Sequence, residues 1–311
     1  MLRQFFIALS QSNMARRFVT RFPPARITSR QFISGETIDE CVSVVKDLNA
    51  RGISVLMNEV GEYVTTREEA QQAAQSFQKI AYRIAEDKLG ASISIKPSFL
   101  GLGFGKEFFY ENMASLVQVA YDLDIPIEMD MEESKDVDTT LAVYYRLLKK
   151  FGDRIHIAIA IQVYLHRTQA DVQKLIHAGG NIRLVKGAYN ESPAIALQNH
   201  DAVNQACMMY MRTFLSEEVR KKGCFLALGS HDPVLIEWLL AEADRMGVDK
   251  ESFEIQMLQG VRQNEQQRLA DMGYQVRIYV PYGIAWYPYF MRRLAERPAN
   301  ALLLARSLVS G

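Results

Sequence analysis

The feature that most constrains this chain is an alternation along its length. Eight short apolar runs of strand length, at 53–60, 91–98, 126–132, 156–165, 181–189, 224–231, 253–258 and 275–283, are separated by longer amphipathic stretches. Short runs bounded by turn residues read as strands, and the wider periodicity between them reads as helix. The predicted helices cover 67–89, 105–123, 137–151, 167–178, 233–246, 263–272 and 286–305, and the long connection 193–222 holds a further helical piece. Gly52, Gly90, Gly152, Gly179, Gly180, Gly223, Gly247 and Gly273 stand where helices should stop, because glycine relieves the left-handed strain just past a helix end. Strands buried on both faces read as continuous apolar runs, as in parallel sheets. Eight of them alternating with helices predict an α/β chain folded as a closed (β/α)8 TIM-type barrel, which typically takes ~250 residues. Residues 1–35 are then surplus, a short helical N-terminal lead-in, and 36–311 form the barrel. An open doubly wound sheet is the competing architecture. No GxGxxG follows the first run, and Gly101, Gly103 and Gly105 follow the second with the wrong spacing.

Charge and composition exclude several classes. Lys plus Arg and Asp plus Glu are equal at 36 each, so the basic excess of a nucleic-acid binder is missing. A count of three cysteines, Cys41, Cys207 and Cys224, excludes a disulfide scaffold, and their wide separation with no CxxC spacing argues against a structural zinc site. The five histidines form no HxH or HExxH, so no metal site is expected. Residues 1–35 hold six arginines (Arg3, Arg16, Arg17, Arg21, Arg26 and Arg30) and no acid. Such a start resembles a mitochondrial transit peptide or a basic helix that packs on the domain or touches an anionic surface. No stretch approaches the ~20 apolar residues of a membrane span, so a soluble protein is expected, with peripheral membrane contact as an option.

Barrels of this type carry their active sites at the carboxyl ends of the strands. The second run ends in Lys96, the third holds Asp130 and Glu132, and the fourth Gln162 and Tyr164. The fifth holds Arg183, Lys186 and Tyr189, and the sixth ends in Ser230, His231 and Asp232. The seventh holds Gln256, and the eighth Arg277 and Tyr279. Polar groups therefore gather at one rim of an otherwise apolar sheet. Its cations, Lys96, Arg183, Lys186 and Arg277, are joined by the helical pair Arg292 and Arg293, with Glu296 at ion-pairing distance along the helix. This excess suits an anionic ligand such as a carboxylate together with a pyrophosphate-bearing cofactor. Gly187 and Ala188 beside Lys186 let backbone N–H groups approach an anion closely. For any single residue, pairing at a wet rim remains the alternative to a ligand role. Two other readings stay open on the residues alone: a Schiff-base aldolase using Lys96 or Lys186, and a non-catalytic amino-acid-binding barrel.

The segments IQVYL (161–165), IRLVKGAY (182–189), GSHD (229–232), FEIQMLQGVR (253–262), RIYVPYG (277–283) and WYPYFMRRLAERPAN (286–300) together resemble the proline dehydrogenase family, in order and in spacing. The opening MLRQFFIALSQSN is similar to the start of its monofunctional bacterial members, and the resemblance covers about residues 1–306. It implies an FAD-dependent oxidation of L-proline to Δ1-pyrroline-5-carboxylate, the first step of proline catabolism to glutamate. Hydride would pass from ring carbon five to flavin nitrogen five, and the electrons to a membrane quinone. It implies that Lys96, Arg292 and Arg293 bind the proline carboxylate, that Tyr279 and Leu258 wall the ring, that Glu296 pairs with the arginines and that Asp130 orders the cations. Gln162, Arg183, Lys186, Gly187, Ala188, Tyr189, Ser230, His231 and Gln256 match flavin contacts. Ser230 stands where the family usually has threonine, and Asn58, where it often has aspartate, is assigned no role. A cytoplasmic protein, peripheral to the inner face of the membrane, follows from the bacterial resemblance, or a matrix protein if the source is eukaryotic. Pyrroline-5-carboxylate dehydrogenase would be its functional partner.

Overall fold

The structure, a computed structural model, describes residues 30–152 and 154–296, with the backbone alone for 292–296. Most of the expected lead-in, 1–29, lies outside the described residues, as does the expected helical stretch 297–305. Eight parallel strands close into a barrel in sequence order. They are β1 (Ser54–Glu59), β2 (Ala91–Ile95), β3 (Ile127–Met129), β4 (Ile157–Gln162), β5 (Asn181–Val185), β6 (Leu226–Gly229), β7 (Phe253–Leu258) and β8 (Gln275–Tyr282). The barrel shuts along the β1–β8 seam, from Ser54 beside Arg277 to Glu59 beside Tyr282. Around it run α1 (Ile38–Ala50), α2 (Arg67–Glu86), α3 (Lys106–Leu123), α4 (Val137–Phe151), α5 (Thr168–His177), α6 (His200–Leu215), α7 (Glu217–Arg220), α8 (Pro233–Arg245), α9 (Gln263–Asp271) and α10 (Trp286–Glu296).

Local chemistry sets several of these boundaries. Thr37 and Thr66 each close a reciprocal capping box, with Glu40 and Glu69, at the starts of α1 and α2, which satisfies backbone donors a helix leaves unpaired. Asp232 caps α8 by accepting from Val234 N at 2.9 Å, with Pro233 in the first helical position, where its missing N–H costs nothing.

The strands are buried on both faces but are not apolar on both. Ile93, Ile127, Ile157, Ile159, Ile182, Leu184, Leu226 and Leu228 belong to the main apolar core, each contributing about 1.5–3 kcal/mol by burial. The residues between them bond across the lumen. Glu128 of β3 meets Gln256 of β7, Tyr279 of β8 meets Asp130 after β3, and Arg277 of β8 meets Ser92 of β2. The period is therefore two, with aliphatics outward against the helices and polar groups inward. This corrects the expectation of an otherwise apolar sheet. The polar lumen is tolerable because its charges are paired, Glu254, Glu128 and Asp130 against Arg277, Arg183 and Lys96; a lone buried charge would not be.

On the barrel's outer layer, Glu242 of α8 accepts from Arg245 at 2.6 and 2.8 Å and from Arg212 of α6 at 2.5 Å. Those guanidinium hydrogen bonds, from Arg245 and then Arg212, pull its carboxyl down to about 2. A group whose folded value lies below its unfolded value adds stability that is present above the latter and lost as pH falls through the former. Glu242→Gln should therefore flatten the stability profile between about pH 4.5 and 2. Urea unfolding at pH 7, 4 and 3 tests this, and parallel wild-type and variant profiles would refute it.

Candidate active site at the barrel mouth

The mouth is organised by Asp130, the first residue past β3. Its backbone N–H donates to Ile95 O at 2.8 Å, which fixes it beside the end of β2. Its carboxylate accepts from Arg183, from Ser94 Oγ at 3.2 Å and from Tyr279 Oη at 3.3 Å. Lys96 Nζ lies 3.6 Å away. Burial works to raise the Asp130 pKa, but the charges of Arg183 and Lys96 and the hydrogen bonds prevail and hold it below the ordinary aspartate value. Arg183 also binds Glu128, and its guanidinium sits 5.9 Å from the centre of the Tyr279 ring. Burial opposes its charge, yet the two carboxylates hold its pKa above the usual arginine value. Burial, followed by the nearby Asp130 charge, pushes the Tyr279 phenol well above its ordinary value, so it is a neutral hydrogen-bond donor.

Glu132 secures the next layer. Ser98 donates to it through its backbone N at 2.6 Å and its hydroxyl at 2.8 Å, which holds the turn that follows Lys96. Gln162, at the end of β4, donates to the Glu132 carbonyl at 2.8 Å.

Past β5, Lys186 is ion-paired to Asp232 and lies 3.1 Å from His200 Nε2. Burial raises the Asp232 pKa, but its bond to Lys186 leads the groups that bring it below normal. Gly187 has φ +118°, and a Cβ there would fall 2.2 Å from the Tyr164 ring. Tyr164 is in turn tied to the Tyr189 carbonyl at 3.2 Å. Among the described residues, neither Gly187 nor Ala188 donates a backbone hydrogen bond within the protein. Ser230 Oγ accepts from Asp232 N at 3.1 Å. His231 Nε2 accepts from Leu258 N at 2.8 Å, which places the neutral ring's proton on Nδ1.

The helix α10 covers this mouth. Trp286, Tyr287, Tyr289, Phe290 and Met291 form a second apolar cluster with Leu56 and Tyr279, and Leu258 packs against it. Phe32 and Ile33 join the same cluster, and Ser34 N donates to Pro281 O at 2.9 Å. The side chains of Arg292, Arg293 and Glu296, in the second half of α10, lie outside the described residues. Arg277 departs from the sequence expectation. It is the third residue of β8 and binds Glu254, the second of β7, at 2.8 Å and Ser92, the second of β2, at 3.1 Å. It therefore belongs to the amino-terminal layer of the lumen, away from the mouth. The cationic excess is also absent among the described residues, because Lys96, Arg183, Lys186 and Arg277 each face a carboxylate. Among the described residues no group of three or more His, Cys, Asp or Glu is placed to hold a metal.

The sequence matches the family described as proline dehydrogenase over residues 41–306. It is 33% identical to proline dehydrogenase 1 of Bacillus subtilis (strain 168) over 309 residues, 99% of each chain. It is 32% identical to the proline dehydrogenase of Deinococcus radiodurans over 286 residues, 91% of this chain and 90% of that one. The chain belongs to the proline dehydrogenase family. Among solved structures, proline utilization A of Bdellovibrio bacteriovorus superposes with a TM-score of 0.82 at 22% identity, over 91% of this chain and 34% of that one. That likeness bears on the fold, which is the same barrel. Family membership makes the chain an oxidoreductase and counts against both the aldolase and the non-catalytic barrel.

The mouth also fits a flavin on its own terms. Arg183 Nε and Gln256 Oε1 are buried with no partner among the described residues, a donor and an acceptor whose isolation is costly unless a ligand meets them. The Gly187 turn packs directly on the Tyr164 ring, which leaves no room for a side chain, and the N–H groups of residues 187 and 188 donate to no backbone acceptor among the described residues. Glu128, Glu254, Ser92 and Ser94, which share this network, were missed by the strand-end reading. The signal for them is the strict alternation in IEMD, FEIQ and ASIS.

Proposed function

We propose that this family member oxidises L-proline to Δ1-pyrroline-5-carboxylate with FAD as its resident cofactor and a membrane quinone as electron acceptor. The observation that carries the reading is the Asp130 junction. One carboxylate binds both Lys96, matched to the substrate, and Arg183, matched to the cofactor. FAD, when bound, supplies the acceptor for the hydride that leaves carbon five of proline, while the amine gives up a proton.

The remaining work falls to the protein. Lys96, with Arg292 and Arg293 from the helix over the mouth, binds the substrate carboxylate, and Glu296 holds the two arginines. Tyr279 and Leu258 wall the ring, so that orientation supplies much of the rate. Gln162, Arg183, Lys186, Gly187, Ala188, Tyr189, Ser230, His231 and Gln256 hold the flavin. Arg183 and Lys186 favour negative charge arriving on it. The product opens with water to glutamate semialdehyde, the substrate a pyrroline-5-carboxylate dehydrogenase partner would take.

No helix among the described residues is long and apolar enough to cross a membrane. Access to a lipid-borne quinone is assigned to the basic lead-in 1–35, which anionic lipid would attract and whose last residues, Phe32 to Ser34, pack on the barrel at 36–311. This reading places the protein in the cytoplasm, at the inner face of the membrane.

The purified protein should be yellow, and anaerobic L-proline should bleach its visible band. A folded, colourless protein that FAD cannot reconstitute would overturn the cofactor, and a yellow protein indifferent to proline would overturn the substrate.

A further inference from the structure

The flavin contacts proposed above are themselves held from below by a residue that has no role in that reading. Glu128 is the middle residue of β3, points into the lumen and is 5% exposed. Each of its carboxylate oxygens has a single polar partner in the described structure. Oε1 takes Arg183 Nη1, and Oε2 takes Gln256 Nε2 at 2.7 Å. Each of these two partners also keeps one buried polar atom unpaired among the described residues, Nε on Arg183 and Oε1 on Gln256.

The Gln256 amide has no freedom to turn over. Its Nε2 also donates to Glu254 Oε1 at 2.9 Å. An amide flip would set its oxygen against two carboxylates, which offer only acceptors. Its Oε1 is thereby committed as an acceptor for a group outside the network. Arg183 is fixed in the same way, with Nη1 on Glu128 and Nη2 on Asp130. Two carboxylates on one guanidinium also neutralise much of the field that Arg183 would otherwise direct at a neighbouring ligand. Burial raises the Glu128 pKa, and Arg183 leads the groups that oppose that rise.

We propose that Glu128 is a positioning residue that aims Arg183 and Gln256 at the cofactor and, by damping the positive field of Arg183, lowers the reduction potential of the bound ring. The inference rests on the flavin reading. It goes beyond it by assigning redox control to a side chain that touches neither substrate nor cofactor.

The test compares the visible-monitored reduction potential of wild-type, Glu128→Gln and Glu128→Asp holoenzymes. Glu128→Gln keeps the shape and removes the charge. Its potential should rise by the equivalent of at least tenfold in the two-electron equilibrium, about 30 mV, and flavin should dissociate more readily. Glu128→Asp keeps the charge but withdraws it by one methylene, so its potential should fall between the other two. A purely structural role would lower flavin content or melting temperature and leave the potential of the retained flavin unmoved. Wild-type potential in a yellow Glu128→Gln protein would sink the proposal. Should that variant not accumulate folded, Glu128→Asp decides the matter by shifting the same way or not at all. A wild-type protein that takes up no flavin would instead sink the parent reading, and this one with it.

Discussion

Asp130→Ala is expected to lose about 3–5 kcal/mol of stability, the cost of removing one partner from a buried ion pair, and to lower proline turnover at least ~100-fold through misplacement of the groups it holds. The carboxylate it deletes is the only acidic contact of Lys96 among the described ion pairs and one of two on Arg183. Alanine leaves the guanidinium with Glu128 alone and Tyr279 without its acceptor. The effect has a pH signature. Asp130 is held below its ordinary value of 3.8, so its contribution is complete above that pH and lost as pH falls through the lower folded value. The variant should accordingly lose stability at neutral pH while its acid limb becomes shallower. Asp130→Asn, which keeps the shape but not the charge, should fall between. Denaturant unfolding at pH 7 and pH 3, with steady-state kinetics on proline, reads both effects. An Asp130→Ala protein with wild-type midpoint and turnover would remove Asp130 from the centre of the site.

The barrel was legible because its outer face is written in aliphatics at fixed spacing. The predicted helix 137–151 is α4 residue for residue, and all eight predicted strands are present. The ends were read too long where the chain leaves the sheet while staying apolar or buried. The run 126–132 forms strand only at Ile127–Met129, because Asp130 and Glu132 turn to the mouth to bind Arg183 and Ser98. The helix α1 has only its stop at Gly52 in the sequence reading and no start, although its Thr37 to Glu40 capping box is a local signal. Within the site, residues at strand ends were found, because position along a parallel strand predicts height in the barrel. Depth inside the lumen was not found. Arg277 reads with the mouth cations, yet its backbone is level with Gln256 and its side chain turns back to Glu254, the second residue of β7. Height of this kind depends on which residue of one strand faces which residue of the next, information that no single strand carries. Glu128 was missed for a related reason. An acid between Ile127 and Met129 looks out of place in a core strand until the cation facing it, Arg183, comes from a strand 55 residues away.

Gly187→Val should give a folded protein that purifies nearly colourless, with flavin content down at least ~10-fold, a loss of about 1.4 kcal/mol or more in binding. Two independent obstacles meet at this position. The backbone sits at φ +118°, a region that residues with a Cβ avoid, so valine must drag the turn after β5 to a new course. A Cβ on the present course would fall 2.2 Å from the Tyr164 ring, and that ring is buried and tethered through its hydroxyl to Tyr189. Either response moves the N–H groups of residues 187 and 188 and the loop that carries Lys186 and Tyr189, all on the cofactor side of the mouth. The barrel itself should survive, because β5 ends at Val185 and its pairing with β4 and β6 lies upstream of the turn. Paired replacement with Tyr164→Ala removes the clash but not the backbone strain, so it should restore flavin only in part. Absorbance ratios at fixed protein concentration, with far-UV circular dichroism to establish folding, measure each step. A Gly187→Val protein that carries a full complement of flavin would mean that the turn has slack to spare, and that Lys186, Ala188 and Tyr189 are not held where they stand by the need of glycine.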